Sequence, residues 1–130
     1  MKRANSTDRA PKAIGPYSQS ITQLSGRTVY ISGQLPIDPS TSSMPEGIAA
    51  QTEQAIRNIE SILAGVGGKL ADVLKVTVYL QDIGEFGAMN EVYARLFPAP
   101  FPARAAFEVA ALPRGARVEI EAVASIDGDL

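Results

Sequence analysis

The sequence predicts an α+β fold in which a single sheet of five to six strands carries two helices on one face. Alternating and amphipathic segments follow one another in the order strand, strand, helix, strand, helix, strand, strand. Two helices are too few to cover both faces of such a sheet, so they most simply lie on one face. A chain of 130 residues is long enough for one core and too short for two, which predicts one domain over residues 1–130.

The N-terminal part is predicted to contain a hairpin. Residues 1–12 are polar and are expected to form a loosely ordered segment. The strand candidates Tyr17–Leu24 and Thr28–Gln34 flank the turn signal Ser25-Gly26, and we expect them to pair with each other. Three prolines in the loop that follows exclude both a helix and a central strand there.

The central part is predicted to contain both helices. Apolar residues spaced by three and four indicate an amphipathic helix from about Ile48 to Val66. The segment Leu74–Leu80 alternates between apolar and polar residues, which is typical of a half-buried strand. A second helix is predicted from about Ile83 to Phe97, where a proline-rich segment ends it.

Two strands, Arg104–Ala110 and Arg117–Ile126, are predicted to complete the sheet. The face without helices would then be too apolar to contact water alone and too polar for a closed core. Ala106, Glu119, Glu121 and Val123 are expected on this face. The sequence therefore predicts a homo-oligomer that packs this face against copies of itself.

The composition excludes several classes of function. The net charge is −2 and no basic residues cluster, which argues against a nucleic-acid partner. The absence of histidine and cysteine excludes Ser-His-Asp and Cys-His catalysis, disulfides and typical zinc sites, so no metal is expected. No apolar run approaches the ~18 residues of a spanning helix. The N-terminus lacks the apolar region of a signal peptide, and a cytoplasmic location is expected.

Arg104 and Glu119 are the candidate functional pair. Alternation is expected to place both side chains on the face that no helix covers, in neighbouring strands. An arginine there suits a carboxylate, because its planar fork offers two parallel hydrogen bonds, and a nearby glutamate can orient a water. A structural cross-strand ion pair is the alternative, since such pairs outnumber catalytic ones. Alternation alone does not separate Glu119 from Glu121.

Several segments carry a resemblance to a known family. They are IGPYSQ (14–19), ISGQLPID (31–38), the segment 52–83, MNEVYARLF (89–97) and FPARAAFEVAALPRGARVEIEAVA (101–124). Through them the chain resembles the Rid family, also called YjgF or reactive intermediate deaminases. The resemblance implies a chorismate-mutase-like fold assembled as a homotrimer, with sites in the clefts between subunits. It further implies hydrolysis of 2-imino or enamine acids, of the 2-iminobutanoate and 2-iminopropanoate type, to 2-keto acids and ammonia, without metal or cofactor.

The same resemblance assigns roles to residues of this chain. Arg104 matches the arginine that holds the substrate carboxylate, Glu119 the glutamate associated with the attacking water, and Tyr17 the tyrosine of the cleft. The substrate-binding positions implied by the resemblance are Ser32, Gly33, Asn90 and Ala106. At position 106 many members carry a cysteine, so any role of that side chain is absent here. The segment 98–100, which borders the cleft, is also shorter than in the archetype, which bears on substrate range.

Two alternatives remain open at the level of sequence. Some members of the family are described as endoribonucleases or translation inhibitors, although the acidic charge and the lack of histidine weigh against RNA cleavage here. The other alternative is a trimer that binds 2-keto acids without catalysis.

Overall fold

The computed structural model describes residues 1–128; residues 129 and 130 of the predicted domain lie outside the described part. The described residues form six strands and two α-helices, which confirms the α+β class. In chain order they are β1 (Lys2–Asn5), β2 (Ser20–Gln23), β3 (Arg27–Gln34), α1 (Ile48–Ala64), β4 (Val73–Leu80), α2 (Phe86–Leu96), β5 (Ala103–Glu108) and β6 (Val118–Ile126). Within residues 1–128, neither helix is long and apolar enough to cross a membrane.

The strands are distributed over two sheets instead of one. Four of them form a sheet in the order β3-β6-β4-β5, in which only β4 and β5 are parallel, and β1 pairs with β2 in a two-stranded sheet. The predicted hairpin of β2 with β3 is therefore wrong. β3 pairs instead with β6, beginning at Arg27 opposite Ile126. The reason is burial, because β6 offers an almost continuous apolar face whereas β2 is polar and largely exposed.

The N-terminal segment is more regular than its composition predicts. Residues 2–5, expected to be part of a loosely ordered segment, form β1, with Lys2 opposite Gln23 and Asn5 opposite Ser20. The Lys2 Nζ also donates a hydrogen bond of 2.7 Å to the carbonyl oxygen of Val73. Because this strand is held by polar contacts, it lacks the apolar alternation by which strands are recognised in a sequence.

Both helices pack on the same face of the four-stranded sheet, as predicted. Each helix contributes to the core through one buried stripe, and the sheet contributes alternate residues of β4 and β6. The core includes Ala55, Ile56, Ile59 and Leu63 of α1, Met89 and Tyr93 of α2, Val76, Val78 and Leu80 of β4, and Val118 and Ile120 of β6. α2 begins at Phe86 and not at Ile83, because residues 83–85 form a 3-10 turn that Asp82 caps.

Neither of the two helices of residues 1–128 covers the other face of the four-stranded sheet. We call it the uncovered face; it carries the side chains of Tyr30, Thr77, Tyr79, Phe107, Glu119, Glu121 and Val123. Tyr30 is 81% exposed there. Ala106 does not lie on this face, contrary to the prediction. It is aligned with Val78, whose side chain is fully buried, and it packs against the core beneath the helices.

Candidate functional site

Helix α2 holds the side chain of Arg104. Arg104 is aligned with Val76 of β4, so its side chain lies on the helix-covered face of the edge strand β5. Its Nη1 donates a hydrogen bond of 2.7 Å to Oδ1 of Asn90. Phe86, Asn90 and Tyr93 are spaced by four and three residues, which places all three on one side of α2. That side of the helix contacts the guanidinium.

Three aromatic rings surround the same guanidinium. Its central carbon lies 4.8 Å from the ring centroid of Tyr93, 5.5 Å from that of Phe86 and 5.6 Å from that of Tyr17. The negative ring faces attract the cation. Burial lowers the pKa of Arg104, and the hydroxyl groups of Tyr93 and Tyr17 oppose that shift. An arginine nonetheless stays charged in a protein.

Arg104 has no acidic partner among residues 1–128. The ion pairs that the described residues form involve other groups, and its one hydrogen-bonded side-chain partner, Asn90, is neutral. A partly buried charge is costly unless something compensates it. The bond to Asn90 orients the guanidinium, and its other N–H groups remain available as donors. This arrangement is suited to binding an anion such as a carboxylate.

The loop before β2 places Tyr17 beside Arg104. The Ser18 backbone N–H donates to the carbonyl oxygen of Pro102 at 3.1 Å, and the Ser18 Oγ donates to that of Phe101 at 2.5 Å. These bonds attach the loop to the start of β5. A cleft of about 450 Å³ opens there, and Tyr17, Lys75 and Arg104 contribute to its lining. The cleft is large enough for a small organic acid.

Glu119 lies on the uncovered face, across from Gly33. In the pairing of β3 with β6 the register shifts between Ile31 and Gln34, so Ser32 and Gly33 form a bulge. A Cβ atom at Gly33 would lie 2.0 Å from the Oε2 of Glu119. Only glycine leaves room for the carboxylate in its present position, as expected where glycine in a strand allows close approach.

The structure distinguishes Glu119 from Glu121. The Tyr79 hydroxyl donates a hydrogen bond of 2.5 Å to Oε1 of Glu121, and this bond raises the pKa of Tyr79. No hydrogen bond or ion pair of Glu119 occurs within the described residues. The carboxylate of Glu121 already accepts a hydrogen bond from the neighbouring strand, whereas the carboxylate of Glu119 can accept hydrogen bonds from a ligand or a water.

Arg104 and Glu119 do not share a face, and the prediction that they do is wrong. Arg104 is aligned with Val76, and both side chains lie on the buried, helix-covered face. Glu119 is aligned with Tyr79, and both of these side chains lie on the uncovered face. Their strands are not neighbours either, since β4 lies between β5 and β6. Within one chain the cross-strand ion pair is excluded as well. The sequence was misleading because alanines flank Arg104 on both sides of β5, so no apolar contrast reveals which side is buried.

The predicted site residues thus form two groups. Arg104, Asn90 and Tyr17 meet on the helix-covered face, whereas Glu119 and Gly33 meet on the other, with exposed Ser32 next to them in the bulge. Ala106 lies two residues from Arg104 on the helix-covered face. Phe86 and Tyr93 also contact Arg104, and they were not among the predicted site residues. Their spacing around Asn90 was the signal that could have identified them.

Within residues 1–128, no group of three or more acidic, histidine or cysteine side chains is arranged to hold a metal ion. The polar groups available in the two clusters are a guanidinium, a carboxylate, an amide, hydroxyls and backbone groups. With these, the site can bind an anion and orient a water, two tasks that need neither a metal nor a nucleophilic side chain.

The chain is similar to known proteins over nearly its whole length. The family model for Endoribonuclease L-PSP matches residues 7–126. A human protein named 2-iminobutanoate/2-iminopropanoate deaminase is 50% identical over 100% of this chain and 93% of its own length. The crystal structure of RidA from an Antarctic Psychrobacter is 48% identical, with a TM-score of 0.76 over 95% of this chain and 99% of that one. The Escherichia coli protein TdcF, solved with bound serine, is 35% identical, with a TM-score of 0.75 over 96% and 98% of the two chains.

Proposed function

The chain belongs to the Endoribonuclease L-PSP family, which includes the Rid and YjgF proteins, and from this membership we propose that it is an imine deaminase. The reaction is the hydrolysis of 2-imino acids, or their enamine forms, to 2-keto acids and ammonia. Substrates of the 2-iminobutanoate and 2-iminopropanoate type are the best supported, because relatives near 50% identity carry those names. The observation that carries the proposal is the oriented guanidinium of Arg104, which no acidic group among residues 1–128 compensates.

Arg104 is the proposed carboxylate clamp. Its bond to Asn90 occupies one nitrogen and leaves further N–H groups for the two oxygens of a substrate carboxylate. The aromatic rings lower the local dielectric, and they strengthen the attraction between the two charges. Serine, which is bound in the TdcF structure, is an amino acid with an α-carboxylate, and this is consistent with such a clamp.

Glu119 is the proposed group that positions the water. Water adds to C2 of the protonated imine, and Glu119 accepts a proton from that water as the C–O bond forms. Glu119 returns that proton to the nitrogen, which makes it an ammonium leaving group. The C–N bond then breaks while the Glu119 carboxylate takes the hydroxyl proton, so the keto group forms, and the departing ammonia accepts this proton and leaves as ammonium. An iminium carbon is already electrophilic, so binding and orientation of the two reactants can supply most of the acceleration. We further propose that Tyr17 and backbone groups near Ser32 and Ala106 line the reacting atoms.

A complete site needs two copies of the chain. Arg104 and Glu119 lie on opposite faces of the sheet, so the clamp of one copy must meet the water-positioning carboxylate of another. We propose a homotrimer with three such clefts. The uncovered face supports it, because a half-apolar surface that includes an 81% exposed Tyr30 is suited to burial against other copies.

The proposal is tested by generating imines in situ with an amino-acid oxidase and trapping them with semicarbazide. The protein is expected to lower semicarbazone formation, and Arg104→Ala is expected to abolish that effect. Arg57→Ala is the matched control, since Arg57 is a surface arginine of α1 that pairs with Glu53 and Glu60. Undiminished turnover by a correctly folded Arg104→Ala variant would falsify the proposal.

The two alternatives give different results with the same preparations. A binding protein without catalysis would bind 2-oxobutanoate through Arg104 and leave semicarbazone formation unchanged. An endoribonuclease would cleave RNA after rigorous removal of contaminating nucleases and lose that activity with Glu119→Gln. The net charge of −2 and the absence of histidine favour the deaminase over RNA cleavage.

A further inference from the structure

Tyr93 has no assigned part in the reaction, and we propose that its ring is a positioning element for the carboxylate clamp. The role rests on the proposed function, because it acts through Arg104. Among the three rings around the guanidinium, Tyr93 is the nearest, at 4.8 Å from ring centroid to the central carbon. It is also the only one of the three whose side chain is fully buried, at 0% exposure.

The Tyr93 ring is itself held in place from behind. It stacks on Phe97, with ring centroids 4.5 Å apart and an angle of 27° between the ring planes. Phe97 is 2% exposed and belongs to the core. A ring packed into the core in this way has little freedom to rotate, so it offers Arg104 a fixed surface.

Arg104 needs such a surface because its hydrogen bond to Asn90 restrains only one nitrogen. With that bond alone, the guanidinium plane can still tilt about Nη1. A carboxylate accepts two parallel hydrogen bonds only when it lies near the plane of the guanidinium. Contact with the ring face of Tyr93 restricts that tilt, and Phe86 contacts the same group at 5.5 Å. Tyr93 therefore acts on the binding of the substrate carboxylate and not on the bond-breaking step.

The hydroxyl group of Tyr93 can be separated from the ring. Its oxygen is buried and has no hydrogen-bond partner among residues 1–128. Burial raises the pKa of Tyr93, against the opposing effect of the Arg104 charge, so the group stays neutral at physiological pH. Tyr93→Phe removes the hydroxyl and keeps the ring, so we expect it to bind 2-oxobutanoate more tightly than a variant that lacks the ring.

Tyr93→Met is the decisive variant, since it removes the ring and fills part of its place with a flexible apolar side chain. The Michaelis constant for the imine and the dissociation constant for 2-oxobutanoate are both expected to rise by about tenfold, while kcat stays within about threefold. Phe97→Met is the comparison variant, because it removes the ring that supports Tyr93 and keeps the ring that contacts Arg104. Its Michaelis constant is expected to rise less than that of Tyr93→Met, by no more than about threefold, at a temperature where both variants are folded.

The Arg104→Lys variant tests whether Tyr93 acts through the guanidinium of Arg104. Lysine presents a point charge without a plane, so Tyr93→Met is expected to change 2-oxobutanoate binding far less in the Arg104→Lys protein. An equal loss in both backgrounds, or equal effects of Tyr93→Met and Phe97→Met, overturns the proposal. Binding of 2-oxobutanoate is measured directly, so this result is independent of whether the protein hydrolyses imines.

If Tyr93→Met does not fold, pentafluorophenylalanine at position 93 replaces it. This side chain keeps the shape of phenylalanine and removes the negative ring face that attracts a cation. Relative to Tyr93→Phe, it is expected to weaken 2-oxobutanoate binding severalfold. Equal binding by these two proteins contradicts the proposed role.

Discussion

Arg104 and Glu119 lie on opposite faces of one four-stranded sheet, and strand β4 separates the strands that carry them. The two groups that the proposed reaction needs are therefore presented by one chain in two different directions. A closed ring of copies joins them naturally, because each copy then gives one group to each of its neighbours.

Mixed oligomers test this arrangement. Arg104→Ala and Glu119→Gln should each be inactive alone, and the two proteins, unfolded together and refolded at equal amounts, should regain activity. If each site takes its arginine from one copy and its glutamate from the next, about a quarter of the sites receive both intact residues. Imine turnover is the measurement. Mass spectrometry of the mixture verifies that mixed oligomers have formed.

A mixture that stays inactive while mixed oligomers are present contradicts a site between subunits. The Arg57→Ala protein mixed with Glu119→Gln provides the upper reference, since Arg57 is remote from both groups. That mixture should retain about half of the sites, because only one site residue is affected.

The two glutamates of β6 should differ in their effect on turnover. Glu119→Gln is expected to lower kcat by about a hundredfold, because an amide cannot accept the proton of the attacking water. Glu121→Gln should leave kcat within about threefold, because the amide oxygen of glutamine can still accept the hydrogen bond from the Tyr79 hydroxyl. Steady-state kinetics with 2-iminobutanoate measure both. A larger loss for Glu121→Gln reverses the assignment.

Gly33→Ala should displace the carboxylate of Glu119. The added Cβ would overlap Oε2 of Glu119, which is the end of a flexible side chain, so the chain should fold while the carboxylate moves. We expect kcat to fall by about tenfold or more, and the double variant Gly33→Ala/Glu119→Gln to be no slower than Glu119→Gln alone. The kcat values of the two single variants and the double variant give the coupling energy between positions 33 and 119.

Gly87→Ala is the control for that substitution. Gly87 lies near the start of α2, and nothing lies within 4 Å of the place where its Cβ would be. The same chemical change should leave kcat unaffected and should raise the free energy of unfolding by a few tenths of a kcal/mol up to about 1 kcal/mol. Additive losses in the Gly33 and Glu119 double variant would show that Gly33 acts by another route.

Ala106→Cys should provide a chemical probe of the site. Position 106 is partly buried and lies on the same face as Arg104, about 7 Å along the strand. We expect the variant to keep turnover within about threefold and to lose it when iodoacetamide alkylates the new thiol. The unchanged protein has no cysteine, so the reagent should not affect it. Full alkylation, measured by mass spectrometry, with undiminished turnover would show that position 106 does not border the site.

Periodic burial explains which parts of the fold could be predicted. α1 and β4 have strong contrasts between apolar and polar residues, and they were found near their observed positions. β1 has none, and it was missed because polar contacts hold it. The hairpin of β2 with β3 was predicted wrongly, because the turn signal Ser25-Gly26 was taken as evidence that the two flanking strands pair. β3 gains more from the buried surface of β6 than from the polar strand next to it in sequence.

For the candidate site, the sequence by itself determined the kinds of group available, since without histidine or cysteine the chemistry had to rely on arginine, glutamate, hydroxyls and amides. It also supplied the motifs that indicate the family. Which groups meet was decided only by the tertiary structure. The alanines of β5 give no apolar contrast, so alternation could not reveal that Arg104 lies beneath α2, between Asn90 and the ring of Tyr93. Strand β4 lies between β5 and β6, although β5 and β6 follow each other in the sequence. This order depends on which long-range strand pairing buries the most surface, and that is a property of the whole fold.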